Sequence, residues 1–125
     1  MKNSSAKLVD LTYLRQRTQS DPELMTEMIN IYLEQTPVLV TAMREGFQKQ
    51  NWDLLQAAAH KIAPSFRIMG IAGDNESVTR KIQELAILQS NSGLLPHMIS
   101  SIEEICNKVY GELRDELKIL KKWPP

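Results

Sequence analysis

The chain has 125 residues, of which 42% are hydrophobic and 24% charged, a composition typical of one soluble globular domain. Lysine plus arginine number 15, as do aspartate plus glutamate, so the formal net charge is zero and the basic surplus of a nucleic-acid-binding protein is missing. The single cysteine, Cys106, excludes an intrachain disulfide and a cysteine-clustered zinc site.

No membrane segment or linker is evident in the sequence. No apolar run approaches the roughly 20 residues that span a bilayer, and the opening stretch MKNSSAKLVD lacks the apolar core of a signal peptide. We expect residues 1–125 to form one cytoplasmic domain without membrane contact, either standing alone or as a segment of a larger protein.

Helical periodicity dominates the chain, and it begins with a short helix and a long one. The short helix covers DLTYLRQRT, with Asp10 as its cap. The long helix begins at SDPE, where Ser20 and Glu23 have capping-box spacing and the proline between them fits the first turn. Pro37 predicts a kink or a brief break near Thr36. The apolar positions of this helix are Met25, Met28, Ile29, Tyr32, Leu39 and Met43.

Three further helices follow. Asn51 is the expected cap of the third, and Gly70 and Gly73 end it. The fifth begins near Leu94 and ends at WPP, with Cys106 on its buried side. The inward positions of the third and fourth helices are Trp52, Leu55, Ala59, Ile62, Phe66 and Met69, then Val78, Ile82, Leu85 and Leu88. Short connections predict an all-α fold, an antiparallel up-down four-helix bundle with a short extra N-terminal helix.

His60 lies in the middle of the third helix. At about 100° per residue it points away from the inward positions, and Gln56, Ala63, Pro64 and Arg67 are predicted to share its exposed sector. An unprotonated imidazole nitrogen is a nucleophile near neutral pH. No second histidine stands at helical spacing to form a metal site, and no serine or cysteine is paired with a dedicated base. On spacing alone, His60 is an ordinary surface histidine.

The stretch AAAHKIAPSFRIMG, residues 57–70, resembles the signature of histidine-containing phosphotransfer (HPt) domains. That signature has an alanine-rich approach to a histidine, often a lysine three residues later, then a small residue, a serine at the fifth place and a glycine at the tenth. His60, Ser65 and Gly70 match at those spacings. The resemblance also covers LTYL, DPELMTEMINIYLEQTP and NWDLLQAAAH, and so extends over about the first 70 residues.

The resemblance implies a phosphorelay intermediate. His60 would accept a phosphoryl group from an aspartyl-phosphate on a receiver domain and pass it to another receiver aspartate. The implied partners are response-regulator receiver domains and a hybrid sensor histidine kinase, and the domain itself would be a monomer. No metal or cofactor is expected on this chain, because the receiver would carry the Mg²⁺. No autonomous kinase activity is expected either, since the sequence has no phosphate-cradling glycine loop.

This chain departs from the signature beside the histidine. Ala63 stands where the lysine is usual, and Pro64 stands where the small residue is usual. A basic group there would stabilise the added negative charge. Lys61 reaches the histidine only from the flank, so Arg67 is the candidate substitute, with a solvated surface arginine as the alternative. Pro64 predicts a local bend that frees the His60 carbonyl and tilts the imidazole outward.

Two signature residues and two other functions stay open. Ser65 is expected to be a flanking residue or a local hydrogen-bond donor, and Gly70 either permits close docking of a receiver or ends the helix. The missing lysine favours, as an alternative, a non-catalytic module that docks a receiver or kinase domain without transferring phosphate. A plain structural bundle in a larger assembly is the third hypothesis.

Overall fold

The computed structural model describes residues 7–122, and within them the chain is all-helical. The five helices are α1 (Thr12–Arg17), α2 (Pro22–Gln48), α3 (Trp52–Ile68), α4 (Asn75–Ile87) and α5 (Leu95–Lys121). The all-α prediction is therefore confirmed for this part of the chain. The prediction that WPP ends the last helix falls on residues 123–125, outside the described range.

The N-terminal caps of α2 and α3 are an acidic and an amide side chain. Asn51 caps α3 as predicted, because its side-chain oxygen accepts a hydrogen bond from the Leu54 N–H at 3.2 Å. At α2 the predicted Ser20–Glu23 capping box is wrong. Asp21 is the cap instead, and its Oδ1 accepts from the Glu23 N–H at 3.0 Å. Ser20 precedes the cap in the left-handed region, with φ of 61°, so the turn before the helix has displaced it.

The prolines inside α2 and α3 do not interrupt these helices. The predicted alternative of a break near Thr36 is wrong, since α2 is continuous from Pro22 to Gln48, whereas the kink there stays a prediction. Buried residues lie on both sides of that proline, including Tyr32 and Met43, so packing holds the two halves in one helix. The helix α3 likewise continues through Pro64.

One hydrophobic core joins all five helices. α2 packs against α3 and α5, α4 packs against α3 and α5, and α1 contacts α3. Five of the predicted inward positions of α3 are confirmed, since Leu55, Ala59, Ile62, Phe66 and Met69 are buried, and the sixth, Trp52, is half-buried. In α4, the predicted inward position of Leu88 is wrong. Leu88 is 67% exposed, because it follows the last residue of α4 as its C-cap.

Cys106 is buried in this core, as predicted. Burial disfavours the charged thiolate and raises the pKa of the Cys106 thiol to about 11. The thiol is therefore protonated and unreactive at neutral pH.

The segment before α1, residues 7–10, is tied to two other parts of the fold, and we call it the N-terminal strap. Its backbone pairs with the turn after α3, through Asp10 N–H to Gly70 O at 2.9 Å and Ala72 N–H to Leu8 O at 2.8 Å. On the other side, the Glu112 carboxylate of α5 accepts from the Leu8 N–H at 2.9 Å. Lys7 forms an ion pair with Glu116.

In residues 7–122, no helix combines the length and the apolar character that a bilayer span requires.

Candidate functional site

His60 is exposed on α3, on the side away from the buried positions of that helix. Its Nδ1 lies 3.2 Å from Nε2 of Gln83, a residue of α4. A side-chain amide presents its oxygen in place of its nitrogen after a 180° rotation, so Gln83 can pair with either tautomer of the imidazole. When the amide oxygen accepts from Nδ1–H, the lone pair of Nε2 is free to act as a nucleophile.

Gln83 is a site residue that the sequence interpretation missed. It is separated from His60 by the end of α3, a turn and two turns of α4. Nothing in the local spacing of either helix connects the two positions. Only the packing of α3 against α4 brings them together.

Ala63 does not share the exposed sector of His60, and that prediction is wrong. Its exposed fraction is 0%. Residue 63 lies about 100° from the core residue Ile62, on a flank of α3 that the fold covers. Gln56, four residues before His60, is half-buried. Of the three alanines directly before His60, Ala57 is exposed, whereas Ala58 and Ala59 are buried.

Arg67 is exposed, as predicted, and its guanidinium is held by an acidic side chain. Nη1 of Arg67 lies 3.1 Å from Oε2 of Glu76 on α4. The same carboxylate also accepts a hydrogen bond from Nη2 of Arg80 at 3.3 Å. The three side chains form a surface cluster, Arg67–Glu76–Arg80, in which two cations share one anion.

An open groove runs along the other flank of His60, between α2 and α3. His60, Lys61 and Pro64 line it from α3. The α2 side contributes Glu34, Gln35, Val38 and Leu39. Val38 is 67% exposed. The groove therefore presents apolar surface directly beside the candidate nucleophile.

Ser65 and Gly70 both have local structural roles. The Ser65 hydroxyl donates to the Ile62 carbonyl at 2.6 Å, which is the local hydrogen bond that was expected. Gly70 has φ of 60°, and a Cβ atom there would lie 1.8 Å from the carbonyl oxygen of Asp10. The strap of this chain itself thus requires a glycine at position 70. Docking of a receiver there stays a prediction.

Within residues 7–122, no group of three or more histidine, cysteine, aspartate or glutamate side chains is arranged to hold a metal ion. Comparison of the chain with protein-family models, with curated proteins and with solved structures finds no match. The resemblance to HPt domains is therefore a hypothesis that rests on the residues of this chain.

The site can support nucleophilic chemistry at one exposed imidazole. A hydrogen-bond partner fixes one ring nitrogen, an arginine-containing cluster lies on one side, and a partly apolar groove lies on the other. An exposed imidazole with these neighbours can accept a group from a second macromolecule that docks over α3.

Proposed function

We propose that the chain is a phosphorelay intermediate of the HPt family, with His60 as phospho-acceptor. The observation that carries this proposal is the exposed His60 of α3 with its Nδ1 against Gln83. With the Gln83 amide rotated so that its oxygen faces Nδ1, this arrangement suits transfer to Nε2, because the partnered nitrogen then holds the proton and the ring orientation. The spacing of His60, Ser65 and Gly70 supports the same conclusion from the sequence.

The finer architecture is part of the proposal. We infer that α2, α3, α4 and α5 form an antiparallel up-down four-helix bundle, with α1 as the extra N-terminal helix. Each of the four contacts two others, which closes a ring. The connections at residues 49–51, 69–74 and 88–94 are short, and short connections favour antiparallel neighbours.

In the proposed reaction, Nε2 of His60 attacks the phosphorus of an aspartyl-phosphate on a receiver domain. The P–N bond forms as the P–O bond to the aspartate breaks, and the aspartate leaves as a carboxylate. The proton on Nδ1 stays in place, held by Gln83. Transfer to a second receiver is the reverse step, with the imidazole as leaving group. Positioning and charge stabilisation supply most of the catalysis in such transfers.

We propose that receivers dock over the groove beside His60. Val38 and Pro64 offer apolar contact there, and Lys61 and Glu34 offer charges at its edge. The proposed partners are response-regulator receiver domains, which would bring the Mg²⁺, and a hybrid sensor histidine kinase. Action in the cytoplasm, as a monomer, belongs to the same proposal.

The proposal is tested by incubating the protein with a phosphorylated receiver and Mg²⁺ and following the label. We expect acid-labile, alkali-stable phosphate on the parent protein and none on His60→Gln. The chain has two histidines, so His97→Gln is the matched control. His97 is exposed on α5, and its substitution should leave the yield unchanged. Label on His60→Gln, or no label on the parent with a panel of receivers, would count against the proposal.

A second function follows from the alanine at position 63. Without the lysine that the signature usually has there, the domain could dock a receiver or kinase domain and never accept phosphate. This alternative predicts that a receiver binds the parent protein and His60→Ala with equal affinity and that no phosphate moves. A calorimetric titration beside the labelling assay separates the two hypotheses.

A further inference from the structure

Two side-chain contacts define how α3 and α4 lie against each other. His60 of α3 meets Gln83 of α4, and Arg67 of α3 meets Glu76 of α4. Going forward from residue 60 to residue 67 on α3 therefore corresponds to going back from residue 83 to residue 76 on α4. The two helices run in opposite directions at this contact, and each level of α3 has a matching level on α4.

This register places Arg80 opposite Ala63. Residue 63 lies three positions after His60, and residue 80 lies three positions before Gln83. Glu76, Arg80 and Gln83 are spaced four and three residues apart, so they share one face of α4. The contacts of Glu76 and Gln83 with α3 side chains show that the edge of this face meets α3. Arg80 is thus about one helical turn, roughly 4.5 Å along the axis, from the level of His60. Arg67 is about two turns away, roughly 10.5 Å.

Arg80 is only weakly held by its ion-pair partner, Glu76. The Arg80 side chain is 46% exposed and lies 3.3 Å from the Glu76 carboxylate, which also pairs with Arg67 at 3.1 Å. Exposed ion pairs contribute little free energy and exchange readily. A phosphoryl group adds about 1.5 to 2 negative charges and three acceptor oxygens. One arginine can therefore leave Glu76 while the other keeps the carboxylate neutralised.

We propose that Arg80 of α4 is the residue that binds the phosphoryl group on His60, taking from the neighbouring helix the place that a lysine at position 63 has in the HPt signature. This inference rests on the proposed function for its biological meaning. Arg80 exchanges the Glu76 carboxylate for phosphoryl oxygens, and no covalent bond changes in that exchange. Arg67 remains paired with Glu76 and so acts on the phosphoryl group only through that carboxylate.

The first test measures the transfer equilibrium between a phosphorylated receiver and this protein. Arg80→Gln should shift the equilibrium about tenfold towards the receiver, because a charge-assisted contact to the phosphoryl group is lost. Glu76→Gln should shift it about threefold the other way, since Arg80 no longer has a competing acceptor. Arg80→Lys should restore most of the loss. Lys81→Gln is the matched control, because Lys81 is the next residue of α4 and pairs with Glu84 at 3.0 Å.

Each outcome of this first test decides the matter. Opposite shifts for Arg80→Gln and Glu76→Gln, with Lys81→Gln within twofold of the parent, support the assignment. Equal effects of Arg80→Gln and Lys81→Gln overturn it. Circular dichroism of every variant checks that α4 is still folded.

The second test does not need a receiver, so it separates this inference from the proposed function. Potassium phosphoramidate is the phosphodonor, with the His97→Gln protein so that only His60 can be labelled. Ammonia leaves as the P–N bond to Nε2 forms. We expect the Arg80 Nε–Hε resonance to shift on labelling, and that of Arg67 to shift less. If this shift is seen while no receiver transfers phosphate, the proposed function fails and the Arg80 assignment stands. An unmoved Arg80 resonance on fully labelled protein overturns the assignment.

Discussion

Gly70→Ala is the substitution by which the strap can be tested most directly. Gly70 has φ of 60°, a conformation that costs an ordinary residue about 1–2 kcal/mol. A Cβ atom would also lie 1.8 Å from the Asp10 carbonyl oxygen, so the strap must move away. Displacing the strap breaks two backbone hydrogen bonds, worth about 1 kcal/mol each. Together these effects predict that the free energy of unfolding falls by about 3–4 kcal/mol, a large part of the 5–15 kcal/mol typical of a domain.

The assay is urea unfolding followed by circular dichroism. Gly111→Ala is the control, because Gly111 is exposed in α5 with no atom near a Cβ. That variant should gain about 1 kcal/mol from helix propensity alone. Gly70→Asn separates the two causes, since asparagine tolerates positive φ but still has a Cβ. A free energy of unfolding for Gly70→Ala within about 0.5 kcal/mol of the parent's would refute the reasoning. If Gly70→Asn is as stable as the parent, the steric clash makes no contribution to the loss.

Three further predictions concern a cap, an ion pair and the buried thiol. Asp21→Ala should cost about 1 kcal/mol in urea unfolding, whereas Ser20→Ala should change the free energy by less than about 0.5 kcal/mol. Arg44 of α2 forms a two-point ion pair with Glu103 of α5, with Nη2–Oε1 at 2.6 Å and Nε–Oε2 at 2.9 Å. Arg44→Met removes this pair and should lower the free energy of unfolding by about 1 kcal/mol at neutral pH. Native Cys106, with its pKa raised to about 11, should react with a thiol reagent at pH 8 about 100-fold more slowly than the urea-unfolded chain.

The last two predictions also have pH signatures. The hydrogen bond from the Arg44 guanidinium holds the pKa of Glu103 below its usual range. The contribution of this ion pair to folding stability is therefore present above the usual carboxyl range and is lost as the pH falls through the lowered pKa. The difference between Arg44→Met and the parent should therefore narrow in acid, and a constant difference would contradict the assignment. Burial raises the pKa of Cys106, so folding stability should fall as the pH rises from the usual thiol range towards 11. Equal thiol reactivity in the folded and unfolded chain would show that Cys106 is not buried.

The helices and their buried positions could be predicted from sequence because both depend on local spacing. The inward positions of α3 follow from three- and four-residue steps, and Asn51 stands directly before them. The error at α2 is of the same local kind. Ser20 and Asp21 are adjacent residues that both cap helices well, and only the positive φ of Ser20 decides between them.

The surroundings of His60 could be predicted only in part, because they depend on how α3 packs against α4. Helical geometry places His60 in solvent, and the structure agrees. Helical geometry does not show which flank of α3 another helix covers, and for that reason the prediction of an exposed Ala63 is wrong. Gln83 and Glu76 belong to another helix, and no periodicity within α3 could have indicated them.

The N-terminal strap brings the beginning of the described range, residues 7–122, close to the end of α5. The Leu8 N–H meets the carboxylate of Glu112, a contact between residues 104 positions apart, and Lys7 meets Glu116. From Glu116, α5 continues for only about 7.5 Å to Lys121. A short linker could therefore join residue 7 to the end of α5, with new termini opened in the connection at residues 88–94. In such a permuted chain the most distant contacts become neighbours in sequence, and folding no longer waits for its two ends to meet.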